Sequence, residues 1–149
     1  MRGEEYTYFD ALELGYQWRS ANRTITEADI VNFAGLSGDF NRIHTDAEFA
    51  KSTEFGQRIA HGLLGLSISS GLQTTEAPWA IVAFANLEWK FAKPIFIGDT
   101  VHSESKIIKL KDLGRRGAGI VKIERKLVNQ DEKVTQQGIW TLMVGKKPE

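Results

Sequence analysis

The chain has 149 residues, 42% of them hydrophobic and 26% charged, the balance of an ordinary folded domain and not of a disordered chain. It contains no cysteine, which excludes a disulfide framework, a thiolate nucleophile and any Cys-ligated zinc site. Net charge is zero, yet residues 1–89 hold 6 Lys+Arg against 12 Asp+Glu and residues 90–149 hold 13 against 7. That asymmetry reads either as two parts attracting each other when packed or as a surface for a polyanionic partner, a nucleic acid or a phosphorylated small molecule. The length suits one domain over 1–149, burying about two-thirds of the surface its unfolded form exposes. The acidic opening MRGEEYTYFD has no apolar h-region, so no signal peptide is expected and a cytoplasmic location is.

In chain order, Thr26 followed by Glu27 and Asp29 resembles a helix N-cap with acids in the first turn. Ile30, Val31 and Ala34 continue at helical spacing, so a helix is predicted over 27–36, ending near Gly35 or Gly38. Asp46 caps a second short helix through Ala47, Phe49 and Ala50. The stretch between them, SGDFNRIHTD (37–46), is expected as a loop that places Asp39, Asn41 and His44 close together. Seventeen residues from Ile59 to Thr75 then lack any Asp, Glu, Lys or Arg. Their Ser, Thr, Gln, His and Gly content speaks against a membrane span, and they read as a helix buried on most sides.

The remainder is strand-like. Ile81, Ala83, Ala85, Leu87, Trp89 and Phe91 alternate with Asn86, Glu88 and Lys90, the period of a half-buried strand over 81–91. Pro94 and Gly98-Asp99 break the chain before strands near 100–111, 118–128 and 133–144, the last with Val134, Trp140, Leu142 and Val144 inward. Four successive strands after a buried helix predict an α+β domain with a curved antiparallel sheet wrapped around a long central helix.

Phe33-Ala34-Gly35-Leu36-Ser37-Gly38-Asp39, then Asn41, Ile43-His44 and Asp46, resembles the signature of the MaoC-like dehydratases and R-specific enoyl-CoA hydratases. Phe55-Gly56 with Ile59-Ala60-His61-Gly62 is similar to the second motif of that family, and "KPIFIGDTV" (93–101) to a third. The resemblance implies a hot-dog fold, assembled as a homodimer or higher homo-oligomer. It also implies reversible syn addition of water to a trans-2-enoyl-CoA, giving an R-3-hydroxyacyl-CoA, with the CoA thioester as substrate and no cofactor. The catalytic pair of the family falls on Asp39 and His44, and its oxyanion donor on the backbone N–H of Gly62. Asn41, His61 and Ser70 fall at supporting positions. An acid/base pair on one water and an N–H at a helix N-terminus together supply what such a reaction needs.

Two positions depart from the family pattern. Arg42 and Arg58 stand where prolines are usual, which suggests that either binds an anionic group of the substrate. Arg115, Arg116, Lys109 or Lys93 are candidates for the phosphates of CoA. The spacing of Asp39, His44 and Asp46 matches no common metal motif, so no metal is expected. Neither a G-x-S-x-G elbow nor a G-x-G-x-x-G phosphate loop is present. No nucleic acid or membrane partner is expected. The rival readings are a hot-dog acyl-CoA thioesterase, a 3-hydroxyacyl-acyl-carrier-protein dehydratase, and a non-catalytic acyl-CoA-binding or RNA-binding module.

Overall fold

Thr26 decides where the first helix begins, and the computed structural model, which describes residues 6–72 and 78–148, shows how. Upstream lie a single 3-10 turn (Phe9–Ala11) and two short strands, β1 (Gln17–Arg19) and β2 (Arg23–Thr24). The Thr26 hydroxyl then accepts from the Asp29 N–H, while the Asp29 carboxylate accepts from the Thr26 N–H, a complete capping box. Burial works against the Asp29 carboxylate, but its hydrogen bonds from Thr26 and Arg23 prevail and hold its pKa below the usual value. The helix α1 (Glu27–Ser37) stops at Gly38, whose φ of 76° needs no Cβ and whose N–H closes on Ala34 O.

The helices α2 (Arg42–Thr45), α3 (Ala47–Lys51) and α4 (Gly62–Gly71) follow, then the long strands β3 (Ile81–Phe91), β4 (Thr100–Asp112), β5 (Ala118–Val128) and β6 (Val134–Gly145). Every strand pairing is antiparallel, in the order β1-β4-β5-β6-β3, with β2 also on β4. Register shifts at Ile107/Lys109, Leu127/Val128 and Phe84/Asn86 interrupt the ladders, and such bulges bend and twist a sheet. α4 packs into that curve, the helix-on-curved-sheet arrangement of a hot-dog fold. Ile30, Ala60, Leu64, Ile68, Ile95, Val101 and Leu127 form the core between helices and sheet. A second cluster, with Ile107, Val121, Ile123, Trp140, Leu142 and Val144, fills the other half of the sheet.

Arg125 holds the far end of α4. Fully buried on β5, it donates to Ser69 O and Ser105 Oγ, and its guanidinium lies 4.5 Å over the Trp140 ring. Burial pulls its pKa down to about 10. A cation on carbonyls of the last helical turn complements the helix dipole.

The elements correct four expectations. Besides the four predicted strands, β1 and β2 join the sheet, each too short for periodicity to reveal. The central helix spans Gly62–Gly71, not 59–75, because residues 59–61 run extended and Ile59 bridges Phe96; residues 73–75 lie outside the described residues. Nor is α4 buried on most sides. Leu64, Gly65, Ile68 and Ser69 face the sheet, while Gly62, Leu63, Ser67, Ser70 and Gly71 form an open stripe. A sheet from one chain covers one side of a helix.

β3 forms where predicted but is an edge strand, and only Trp89 is even half-buried. Its alternation also breaks at the bulge near Ala85. Leu87, Trp89 and Phe91 pair with Trp140, Gly138 and Gln136, but Phe84, not Ala83 or Ala85, lies opposite Leu142 and packs on Trp140.

Candidate active site

Residues 37–46 are built from short-range hydrogen bonds. Ser37 Oγ accepts from the Asp39 N–H, Asp39 Oδ1 from the Asn41 N–H, and Asn41 Oδ1 from the Ile43 N–H. These side chains turn the chain without a sheet or a long helix. The expected loop therefore contains one helical turn, α2, capped by Asn41 and carrying His44 on its third residue. Asp46 closes it and caps α3 by accepting from the Phe49 N–H.

His44 is buried in a way that fixes its proton. Its Nδ1 lies 2.8 Å from Ile59 O, and a carbonyl only accepts, so Nδ1 carries the hydrogen. In the neutral ring Nε2 is then a bare lone pair, and it faces Asp39 Oδ2 at 4.0 Å. Burial is the largest influence on the ring and lowers its pKa; the stacked His61 adds to this, and the Ile59 carbonyl and Asp39 oppose it. Asp39 itself is half exposed, its side chain 52% accessible. At 4.0 Å the two groups are too far apart to hydrogen-bond each other, yet one oxygen can sit within hydrogen-bond reach of both.

The N-terminus of α4 lies against this pair. His61 precedes the helix, stacks on His44 with ring centroids 3.8 Å apart, and its Nε2–H donates to Asp39 O at 2.9 Å. Its Nδ1 is left buried without a partner among the described residues. Asp39, His44 and His61 each offer one ligand atom, all within 4.8 Å of one another. Gly62 opens the helix, where first-turn N–H groups lack an intrahelical acceptor. A Cβ on Gly62 would lie 2.9 Å from Phe91 Cδ1, so the Phe91 ring already covers the Cα. The Asp39–His44 pair and a helix N-terminus thus lie side by side, an arrangement suited to moving a proton beside a developing oxyanion.

The MaoC like domain family matches residues 13–129 of this sequence. The chain belongs to that family. Its relatives include an (R)-specific enoyl-CoA hydratase of Rhodospirillum rubrum, 42% identical over 94 residues, which are 63% of this chain and 65% of the relative. The match thus spans just under two-thirds of that protein. A 3-hydroxybutyryl-CoA dehydratase of Methylorubrum extorquens is 35% identical over 73% of this chain and 69% of its own. Among solved structures, a monoamine oxidase regulatory protein from Archaeoglobus superposes with a TM-score of 0.89 at 33% identity, over 96% of this chain and 97% of the other. The (R)-hydratase from A. caviae gives 0.77 at 29% identity, over 93% and 98%.

Within this MaoC-like domain the other sequence candidates scatter. Ser70 sits on the open stripe of α4 and donates to Ser67 O. Arg42 places Nε and Nη2 on Asp46 Oδ2, at 3.1 and 2.9 Å, and its guanidinium 4.3 Å over the Phe49 ring. Arg58 pairs with Glu27 and ties the loop before α4 to the first turn of α1. Arg115 and Arg116 lie exposed at the tip of the β4–β5 hairpin. That tip is thirteen β4 residues, about 40 Å of strand, beyond Thr100. The structure therefore gathers Asp39, Asn41, His44, His61 and Gly62, and holds Arg42, Arg58, Arg115 and Arg116 on other partners or at a distance.

Three contributors went unnoticed in the sequence. Ile59 acts through its carbonyl, which no residue type announces. Phe91 covers Gly62 across the fold. Gln136, on β6, is buried against the first turn of α4 and donates to Gly62 O at 3.0 Å. Counting by twos back from Trp140 puts Gln136 on the inward face, so a polar residue at a core position was the available signal.

Proposed function

We propose that this MaoC-like domain is a hydro-lyase that adds water to trans-2-enoyl-CoA, giving R-3-hydroxyacyl-CoA, and catalyses the reverse dehydration. The observation that carries the reading is the bare Nε2 of His44, fixed by Ile59 O and set 4.0 Å from Asp39 beside the N-terminus of α4. Water held between them gives one proton to His44 Nε2 while its oxygen bonds to C3. The C2=C3 π pair moves toward the thioester, whose oxygen becomes enolate-like and is met by the Gly62 N–H. The imidazolium, stabilised by the Asp39 carboxylate, then returns the same proton to C2, and the thioester carbonyl re-forms. One molecule of water is added and no electron is gained or lost. Proton transfer and one backbone donor suffice, each typically worth about 10²-fold or more.

The names of the relatives, hydratase and dehydratase on CoA thioesters, support this direction of chemistry. A second copy of the chain belongs to the proposal, since β3 is an edge strand with Ile81, Val82, Phe84, Leu87 and Phe91 exposed. Two such edges pairing would cover that apolar row. No helix among the described residues is long and apolar enough to cross a membrane, and the cytoplasm is the proposed location.

The test is a panel of enoyl-CoAs from crotonyl to long-chain and dicarboxylic, followed by loss of the enoyl-thioester absorbance. Release of free thiol instead would identify a thioesterase, and turnover only on acyl carrier protein the carrier-bound dehydratase. Selective KM increases for dicarboxylic substrates in Arg42→Ala or Arg58→Ala would show that these arginines leave Asp46 and Glu27 to bind the second carboxylate.

A further inference from the structure

We infer that Gln136 is a positioning residue that preorganises the first turn of α4, and with it the backbone donor at Gly62; this rests on the hydro-lyase reading above. The need for it is visible in the helix itself. α4 opens on glycine, the residue that loses most conformational freedom on ordering, and His61 before it makes no side-chain capping bond. The Gly65 N–H reaches His61 O only at a long 3.3 Å. Left alone, this turn would fray. An oxyanion donor is effective only if its direction is set before charge develops.

β6 and β3 supply the missing anchor as a cross-strand pair. Gln136 lies directly opposite Phe91 in the ladder. The Phe91 ring presses on the Gly62 Cα, and the Gln136 Nε2–H donates to the Gly62 carbonyl at 3.0 Å. Gly62 is thus held from its Cα and from its carbonyl by two adjoining side chains of one sheet. The amide cannot swing away, because the Trp89 Nε1–H donates to its Oε1 at 3.0 Å. That bond also fixes which end of the amide is the donor, since an indole N–H never accepts. Gly65 is the clearance for this grip: a Cβ there would lie 2.3 Å from Gln136 Nε2. Gln136 is only 2% exposed, and burying an amide is favourable only when both its ends are satisfied. Here both are, one of them by the helix terminus that the proposed chemistry uses.

The experiment compares wild type with Gln136→Met, which keeps length and bulk but cannot donate, and with Trp89→Phe, which removes the N–H that orients the amide. Gln136→Met is expected to lower kcat on crotonyl-CoA by roughly 10- to 100-fold, the effect of a misplaced reacting group, with KM within about twofold. Trp89→Phe should lose less, in the same direction, and the double variant should lose no more than Gln136→Met alone, because both act on one contact. Amide hydrogen exchange at Gly65 and Leu66 should quicken about tenfold or more in Gln136→Met, while Ile68 and Ser69 on the same helix stay protected. A merely structural role would lower thermal stability and leave kcat of the folded enzyme intact, and that result overturns the inference. Should Gln136→Met fail to fold, unchanged kcat in Trp89→Phe overturns it equally. If wild type turns over no enoyl thioester, the hydro-lyase reading falls, and first-turn exchange indifferent to both substitutions then overturns the anchoring itself.

Discussion

At Asp39 and His44 the same short stretch does two jobs, and their exposures separate them. The Asp39 side chain is half in solvent while that of His44 is 11% exposed, so substituting the first should touch activity far more than stability. Asp39→Asn keeps an oxygen for the Asn41 N–H but removes the charge that, in the proposed mechanism, stabilises the imidazolium. Hydration is expected to fall about 10²- to 10⁴-fold, with the melting temperature nearly unchanged. His44 carries a pH signature. Burial, the dominant influence, holds its pKa below the ordinary 6.5. The unfolded chain therefore takes up this proton at higher pH than the folded one. His44 adds no pH dependence above about 6.5; as pH falls from there through the folded pKa, stability is lost, and below it the loss is constant. Denaturation of His44→Gln from pH 7.5 to 5 should show a shallower acid loss than wild type. The kcat/KM for hydration should likewise persist below pH 6.5, where a free imidazole base would already be half protonated.

Elements in this fold are set by where a side chain is absent as much as by where one is present. Gly138 on β6 lies opposite Trp89, and a Cβ there would sit 1.9 Å from the Glu88 carbonyl oxygen. Backbone cannot rotate aside as a side chain can, so Gly138→Ala should push β3 off β6. Overpacking of this kind typically costs about 1–3 kcal/mol or more, and calorimetry should show it as a clearly lowered melting temperature. Gly35 gives the contrast: it lies inside α1 with nothing within 4 Å of its would-be Cβ. Gly35→Ala should raise stability by about 0.5–1 kcal/mol through helix propensity alone. Thr26→Ala, which opens the capping box of the same helix, should lower it by about 1 kcal/mol.

Across the whole molecule, the basic C-terminal half finds much of its counter-charge within its own sheet. Lys106 pairs across the strands with Glu124, Lys126 with Glu104, and Lys146 forms an ion pair with Asp112. In the acidic half Arg58 meets Glu27, and Arg23 meets Asp29. These pairs join residues of the same half, so they leave the opposite net charges of the two halves in place, with Arg115 and Arg116 among the exposed cations at the hairpin tip. The larger imbalance is apolar, along β3. Val82 is 62% exposed on that edge. Light scattering should find wild type dimeric or larger and Val82→Lys shifted toward monomer, since an edge lysine opposes strand pairing. A monomeric wild type would refute the second copy.

Local rules carried much of this protein. Thr26 and Asp46 as caps, Gly38 as a helix stop, and four strands with their turns could be placed because each depends on neighbours a few residues away. The Asp39–His44 stretch and His61-Gly62 could be recognised as a motif for the same reason. Tertiary structure decided what neighbours could not. The carbonyl of Ile59, fifteen residues on, chose which nitrogen of His44 holds the proton. Bulges between Ile81 and Asn86 put Phe84, in place of Ala83 and Ala85, on the inward face of β3, and the sheet order left that strand at an edge, so its apolar row lies exposed. Gln136, seventy-four residues from Gly62, became its partner only when the sheet curved around α4. Alternation in a sequence tells which side chains share a face; only the assembled sheet determines what that face meets.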